Sequence, residues 1–153
     1  MNNQDNQNQI QKVVALAAPV DRVWNALVDH RQFGEWFRVD LDNPFEVGVT
    51  TTGRMTFPGH EHVTWESVTE AMVPMKRFAF SWPPSAVDPA TEYPADAKVM
   101  VEFIVEATER GTQLTIMESG FEVFPETTRL DVLRSNAEGW AIQSANIRRY
   151  VER

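Results

Sequence analysis

The stretch SNAEGWAIQSANIRRYVER, residues 135–153, decides how this chain folds, and it contains an unusual pair of residues. Together with the residues before it, the stretch predicts one long helix from about Pro125 to Glu152, because apolar residues recur at helical spacing. Gly139 stands directly before Trp140, although a glycine inside a helix costs about 1 kcal/mol relative to alanine. Another feature of the fold has to offset that cost. The predicted apolar stripe comprises Leu130, Leu133, Ala137, Trp140, Ala141, Ser144, Ile147 and Val151.

The segments at the other end of the chain predict one strand followed by two helices. IQKVVALAA, residues 10–18, alternates as a half-buried strand does. APVDRVWNALVD, residues 18–29, carries apolar residues at i, i+3, i+4, i+7 and i+8, which is typical of an amphipathic helix. HRQFGEWF, residues 30–37, predicts a second, short helix that Gly34 interrupts.

The middle of the chain predicts strands separated by turns. The predicted strands cover residues 53–58, 62–71, 76–82, 98–107 and 113–119. The proline-rich segment WPPSAVDPATEYPAD, residues 82–96, is predicted to be an irregular loop. A strand, two helices, a run of strands and a long helix imply an α+β fold. In that fold, a curved antiparallel sheet of about six or seven strands wraps around the final helix.

Four parts of the chain carry a resemblance together: APVDRVWNALVD, FGEWF (residues 33–37), VPMKRFAFSW (residues 73–82), and LTIMESGF (residues 114–121) with EGWAIQSANIRRYV (residues 138–151). In this order and spacing, they resemble the START-like superfamily, whose members have the helix-grip fold. Within it, the sequence is most similar to the branch named after the activator of the heat-shock-protein-90 ATPase. Gln143 and residues 145–147 depart from that branch, since they weaken the leucine pattern after the Gly-Trp pair. The proline-rich loop, residues 83–94, is a second departure that could reshape a pocket entrance.

The resemblance implies a cavity between the sheet and the final helix. Trp140 would point into that space, and Gly139 would let the helix approach a neighbour or bend; alternatively, the pair serves packing alone. Because ligand pockets are mostly apolar, we predict that the cavity holds a hydrophobic small molecule. The opposing interpretation is that the same large side chains only fill the core. The residues predicted to line the cavity are Trp24, Trp36, Phe57, Trp65, Phe78, Phe80, Trp82, Phe103, Leu133 and Trp140.

Residues suited to covalent or metal chemistry are few in this sequence. It has no cysteine, three histidines and no nucleophile-elbow serine motif. His60 and His62 share a face only if their segment is a strand, and we interpret them as solvated loop residues rather than zinc ligands. Glu66, Glu102 and Glu118 lie on predicted strands, where an inward carboxylate can act as a general base. Nothing indicates which of them points inward, so no catalytic set, cofactor or metal is predicted.

Length and charge limit the remaining possibilities. A chain of 153 residues suits a single domain, which we predict over residues 10–153 after a disordered polar tail at residues 1–9. The net charge of −8 argues against a nucleic-acid-binding surface. No stretch approaches the roughly 20 apolar residues that span a bilayer, so no membrane insertion is expected. The absence of cysteine is compatible with a cytoplasmic location, which we predict.

Three functions remain open at this level. The first is a START-like protein that binds a hydrophobic small molecule between the sheet and the helix. The second is a protein-interaction module that acts on a chaperone or on a second copy of the chain as a homodimer. The third is a lyase or cyclase for an aromatic or polyketide-like substrate in the same cavity. No residue set supports an enzyme, and small-molecule binding is therefore the leading hypothesis.

Overall fold

The computed structural model of the chain describes residues 8–86 and 88–153. Residues 1–7 of the predicted tail lie outside the described residues, and Gln9 already belongs to the first strand. Short 3-10 turns cover Pro84–Ala86 and Phe121–Val123. The strands and helices are, in chain order, β1 (Gln9–Leu16), α1 (Val20–Val28), α2 (His30–Phe37), β2 (Val39–Leu41), β3 (Thr50–Met55), β4 (Thr64–Val73), β5 (Arg77–Trp82), β6 (Val99–Thr108), β7 (Gly111–Ser119) and α3 (Glu126–Glu152).

The seven strands form one antiparallel sheet in the order β1-β7-β6-β5-β4-β3-β2. The predicted fold class, an α+β helix-grip fold with a curved sheet and a long final helix, is confirmed. β2 was not predicted, because three residues are too few for an alternating pattern to be recognised. Its partner β3 approaches it at Gly53, where a Cβ atom would collide with the backbone of Asp40.

The large apolar side chains of β5 and β6 lie on the face of the sheet that the helices cover. Phe78 pairs with Phe103 and Phe80 pairs with Val101 across the two strands, and all four side chains are fully buried. Phe33, on α2, lies against this face and is also fully buried. The predicted alternation of β6 is thereby confirmed. We call this cluster the Phe33 core; its aromatic members are Phe33, Trp36, Phe37, Phe45, Phe78, Phe80 and Phe103.

Helix α2 runs unbroken from His30 to Phe37, so the predicted interruption at Gly34 is wrong. A Cβ atom at this position would collide with the carbonyl oxygen of Val39. Gly34 therefore permits the chain after α2 to fold back closely against the helix, and it does so without ending the helix. Asp29 caps the start of α2, because its carboxylate accepts a hydrogen bond from the backbone N–H of Arg31 at 2.9 Å.

Helix α3 has the predicted extent, but two members of its predicted apolar stripe are wrong. Leu130 and Ala141 are exposed, whereas Gln143 and Asn146 are buried. Successive residues are about 100° apart around a helix, and the buried face extends from Trp140 toward Gln143, so Ala141 turns away from the sheet. The last turns of α3 are fixed to β1 and the segment after it by two hydrogen bonds. Arg148 donates to the Ala15 carbonyl at 3.2 Å, and the Ala17 N–H donates to Glu152 at 2.8 Å.

Candidate functional site

A pocket of about 310 Å³ opens between α3 and the strands β3, β4 and β5. We call it the aromatic pocket, and its volume is at the lower end of the range for small-molecule sites. A wider groove of about 900 Å³ near Ala17 and Gly111 is more open and has no aromatic residue in its lining. The aromatic pocket is therefore the better candidate for binding an apolar ligand. It is lined by Phe37, Met55, Phe57, His60, Val63, Thr64, Trp65, Glu66, Trp82, Ala86, Gly139, Ile142 and Gln143.

Three of the ten residues predicted to line a cavity, Phe57, Trp65 and Trp82, line the aromatic pocket. The remaining seven are buried outside its lining. Phe78, Phe80 and Phe103 belong to the Phe33 core, as does Trp36, whose indole N–H donates to the Ala26 carbonyl at 2.8 Å. The seven residues are Trp24, Trp36, Phe78, Phe80, Phe103, Leu133 and Trp140.

Ten lining residues were not predicted to line a cavity, and they include apolar side chains from three segments. Phe37 ends α2, Val63 lies in the loop between β3 and β4, and Ile142 lies on α3. Ile142 is 51% exposed, and an apolar side chain outside the buried face of an otherwise polar helix surface was the available signal. Gln143 was recognised only as a departure from the family pattern.

The structure explains the glycine in α3. A Cβ atom built on Gly139 would meet no atom within 4 Å, and Gly139 itself lines the aromatic pocket. The predicted close approach of a neighbour to this glycine is therefore wrong. The missing side chain instead enlarges the space beside the helix, while Trp140 turns inward and packs edge-on against Phe103 and Phe37.

A buried carboxylate lies behind the wall of the aromatic pocket. Glu118, on β7, is fully buried and accepts three hydrogen bonds. The indole N–H of Trp82 donates to Oε2 at 3.0 Å, and the indole N–H of Trp140 donates to Oε1 at 2.8 Å. Asn136 Nδ2 also donates to Oε1, at 3.1 Å. Because Trp82 belongs to the sheet and Trp140 to α3, Glu118 joins the two layers, and one indole separates it from the pocket.

The environment of Glu118 makes its charged form costly. Burial raises the pKa of this carboxyl group above its ordinary value of 4.5, against the lowering effect of the donors Trp140, Asn136 and Trp82. Among the described residues, none of the ion pairs includes Glu118. Burial without a cationic partner therefore favours the protonated form of Glu118 more than solvent would favour it in an exposed carboxyl group.

The other two strand glutamates lie in different environments. Glu66 is exposed on β4 and contributes to the rim of the aromatic pocket. Glu102 pairs with Arg77 at 2.6 Å and is partly exposed. The question that the sequence left open is thereby answered, because Glu118 alone of the three points into the core.

The two neighbouring histidines lie in the loop between β3 and β4, so they do not share a strand face. His60 contributes to the pocket lining and its ring contacts the ring of Phe57, with centroids 5.4 Å apart. In residues 8–86 and 88–153, no group of three potential metal ligands comes together.

The proline-rich loop contributes Ala86 to the aromatic pocket. Tyr93 holds this loop in place, since its hydroxyl donates to Asp88 at 2.5 Å and its ring packs edge-on against Phe124. Desolvation, followed by the Asp88 carboxylate, raises the pKa of Tyr93 to about 12. The phenol therefore remains a hydrogen-bond donor at any physiological pH.

A seven-stranded antiparallel sheet that holds one long helix is the helix-grip architecture, and this chain is a START-like (SRPBCC) protein. Residues 17–152 match the family described as Activator of Hsp90 ATPase homolog 1-like protein. The chain belongs to this family. The predicted resemblance is thus confirmed at the level of both the superfamily and the branch.

Several solved structures share the fold at low sequence identity. Protein MLL2253 from Mesorhizobium loti is 21% identical, with a TM-score of 0.72, and the match covers 93% of this chain and 95% of that one. The Aha1 dimer from Colwellia psychrerythraea is 19% identical, with a TM-score of 0.71 and coverage of 94% and 96%. DynU16, described as a putative protein in the dynemicin biosynthetic locus, is 21% identical, with a TM-score of 0.70; the match covers 95% of this chain and 47% of DynU16. No curated protein matches the chain.

A helix that crosses a bilayer needs roughly 20 predominantly apolar residues. Within the described residues, no helix is long and apolar enough to span a membrane.

Proposed function

We propose that this protein binds a hydrophobic small molecule in the aromatic pocket. The observation that carries the proposal is the apolar space beside Gly139, which lies between three aromatic walls, Phe57, Trp65 and Trp82. A helix that tolerates glycine there gives up about 1 kcal/mol of helix stability without gaining a packing contact. An empty space maintained at that cost supports a binding role, as does membership in a START-like family.

Titration with the neutral fluorophore N-phenylnaphthylamine tests this function. We expect one probe to bind per folded chain and to change tryptophan emission, because Trp65 and Trp82 line the pocket. Ile142→Glu should weaken binding strongly, since it places a carboxylate in the apolar lining. Leu130→Glu is the matched control, because Leu130 is 53% exposed on the same helix and lies outside the lining. Absence of stoichiometric binding by the folded wild type would exclude the proposed function.

Acid–base catalysis in the same pocket is a second candidate function, and Glu118 favours it. The carboxyl group lies one indole away from the pocket, and burial raises its pKa. For a proton to pass to a bound molecule, the Trp82 indole would have to move aside. This candidate predicts that a compound bound in the pocket is recovered chemically changed from the wild type and unchanged from Glu118→Gln. Recovery of the unchanged compound from both proteins would exclude catalysis and leave small-molecule binding as the role of the pocket.

A protein partner, including a second copy of the chain, is the third candidate. The Colwellia relative is described as a dimer. In this chain, β1 is an edge strand of the sheet and carries Val13, which is 58% exposed. Light scattering should then show twice the chain mass of 17.5 kDa, and Val13→Lys should restore the mass of one chain. A single-chain mass at every concentration would exclude the homodimer.

A further inference from the structure

A second cavity, which we call the arginine cleft, lies between the end of α2 and the last turns of α3. Its volume is about 240 Å³. Its lining includes Arg38, Arg149 and Arg153 against a single carboxylate, that of Glu35. Such a local excess of positive charge is unexpected on a chain whose net charge is −8. Judged by the charges of the described side chains, the cleft is therefore suited to binding an anion.

A series of linked hydrogen bonds positions one of these guanidinium groups. Gln143 Nε2 donates to the Phe37 carbonyl at 2.9 Å, and Asn146 Nδ2 donates to Gln143 Oε1 at 3.1 Å. Arg149 donates to Asn146 Oδ1 and is the last member of this series. Gln143 and Asn146 are each only 8% exposed, so the support beneath the arginine is part of the packed interior. A guanidinium group held in this way loses less side-chain entropy when it binds an anion.

The other arginines of the cleft have different surroundings. Arg38 occupies the left-handed region at φ 70°, directly after α2, and its guanidinium lies 5.8 Å from the ring centre of Phe57. Arg153 contacts Glu35 at 3.5 Å, but both side chains are mostly exposed, and exposed pairs of this kind are weak. Burial, followed by the Glu35 carboxylate, raises the pKa of Tyr150, so this phenol adds no negative charge to the cleft.

The lining residues of the arginine cleft neighbour those of the aromatic pocket along α2 and α3. Gln143 lines the pocket and Asn146 lines the cleft, and residues three apart on a helix differ by about 4.5 Å in height. Phe37 lines the pocket and the next residue, Arg38, lines the cleft. Arg38 also contacts Phe57 of the pocket. The one carboxylate in the pocket lining, Glu66, lies on β4 and not on the segments that the two cavities share.

We propose that the ligand is an amphipathic anion, with an apolar body in the aromatic pocket and a carboxylate, sulfonate or phosphate head at the arginine cleft. This inference rests on the proposed function, since it requires a ligand in the pocket. Arginine is the side chain best suited to such heads, because its planar donors match two oxygens at once. A pocket of about 310 Å³ accommodates a fused ring system or one short chain, which favours a small organic acid over a two-chain lipid.

Two fluorophores with the same aromatic body provide the test. Anilinonaphthalene sulfonate carries the anionic head, and N-phenylnaphthylamine lacks it. We expect the sulfonate to bind about tenfold more tightly, which corresponds to about one charge-assisted hydrogen bond. Arg149→Gln and Arg38→Gln should each weaken sulfonate binding about fivefold and should weaken binding of the neutral probe much less. Arg134→Gln is the matched control, since Arg134 lies on α3 outside both linings.

The outcomes separate the two proposals. If the neutral probe binds but the sulfonate binds no more tightly, and the arginine variants behave as wild type, the anionic head is excluded and the binding function stands. If the neutral probe does not bind, the proposed function fails and this inference fails with it. Added salt should weaken only the sulfonate complex, because it screens the exposed guanidinium groups. Arginine-dependent sedimentation with anionic lipid vesicles would overturn the choice of a small organic acid.

Discussion

The aromatic side chains of this protein lie in two regions, the Phe33 core and the aromatic pocket. In the core, the ring of Phe33 lies 4.8 to 6.4 Å from six other rings, and its side chain is fully buried. In the pocket, Phe57 and Trp82 are only partly buried, and a space of about 310 Å³ lies between them and α3. Trp65 connects the two regions, since it contacts Phe33 of the core and lines the pocket. Phe37, a member of the core, lines the pocket as well.

The difference depends on what each helix presents to the sheet. Helix α2 places Phe33 against the strands, and the Phe33 side chain fills the space between this helix and the sheet. Helix α3 places Gly139 beside the pocket, and no side chain occupies that position. Two regions built from similar aromatic residues therefore become a core in one case and a cavity in the other.

The largest effect should come from truncating the centre of the core. Phe33→Ala should lower the free energy of unfolding by about 3–5 kcal/mol, because it leaves a cavity surrounded by rigid rings. Phe57→Ala, the matched change in the pocket, should lower it by about 1 kcal/mol or less, since that ring is already partly exposed. Urea denaturation of the two variants measures both values. Equal losses would mean that the pocket is as tightly packed as the core.

The link between the two layers should give a smaller effect. Trp82→Phe removes a hydrogen bond to the buried Glu118 carboxylate and should cost about 1.5–3 kcal/mol. Trp36→Phe is the matched control in the core, because its indole donates to a neutral carbonyl, and it should cost about 0.5–1.5 kcal/mol. Denaturation midpoints at neutral pH provide the comparison. The opposite order would show that the bond to Glu118 contributes little to holding the layers together.

The raised pKa of Glu118 predicts a pH dependence of stability. The folded state binds this proton more tightly than the unfolded state, whose carboxyl group has the ordinary value of 4.5. Stability contributed by the group should therefore fall as the pH rises above about 4.5 and become constant above the raised folded pKa. The core around Phe33 contains no titratable member and should show no such change.

The measurement is the difference in unfolding free energy between the wild type and Glu118→Gln at several pH values. We expect the wild type to lose stability relative to the variant as the pH increases through that window. Subtracting the variant removes the contribution of the exposed carboxylates, which both proteins share. A constant difference across the window would show that the carboxyl group has the same pKa in both states.

Sequence reasoning predicted the fold because its signals are repeated along many residues. The alternation on β6 and the long helical stripe of α3 each involve several side chains, so a few exceptions such as Leu130 did not alter the result. The short strand β2 and the unbroken helix at Gly34 were missed, because both depend on how the backbone at residues 34–41 folds back on itself.

The site was less predictable for a physical reason. Phe80 and Trp82 share a strand face, yet Phe80 is fully buried in the core and Trp82 lines the pocket. What separates them is the position of other segments, namely α2 above Phe80 and the loop between β3 and β4 beside Trp82. The inward direction of Glu118, by contrast, follows from the alternation of β7, because Glu118 lies on the same face as the buried Leu114 and Ile116. The sequence contained that signal, and it was missed.

The smallest predicted effect tests the origin of the pocket directly. Gly139→Ala should raise the free energy of unfolding by up to about 1 kcal/mol, because alanine favours the helix and its methyl group meets no neighbour within 4 Å. The same methyl group enters the aromatic pocket, so binding of N-phenylnaphthylamine should weaken as stability increases. Ser135→Ala is the control, since Ser135 is exposed on α3 outside the pocket; it should stabilise the helix slightly and leave probe binding unchanged. If Gly139→Ala stabilised the protein without affecting the probe, the glycine would have no role in binding, and the pocket would have to be attributed to the loop between β3 and β4 alone.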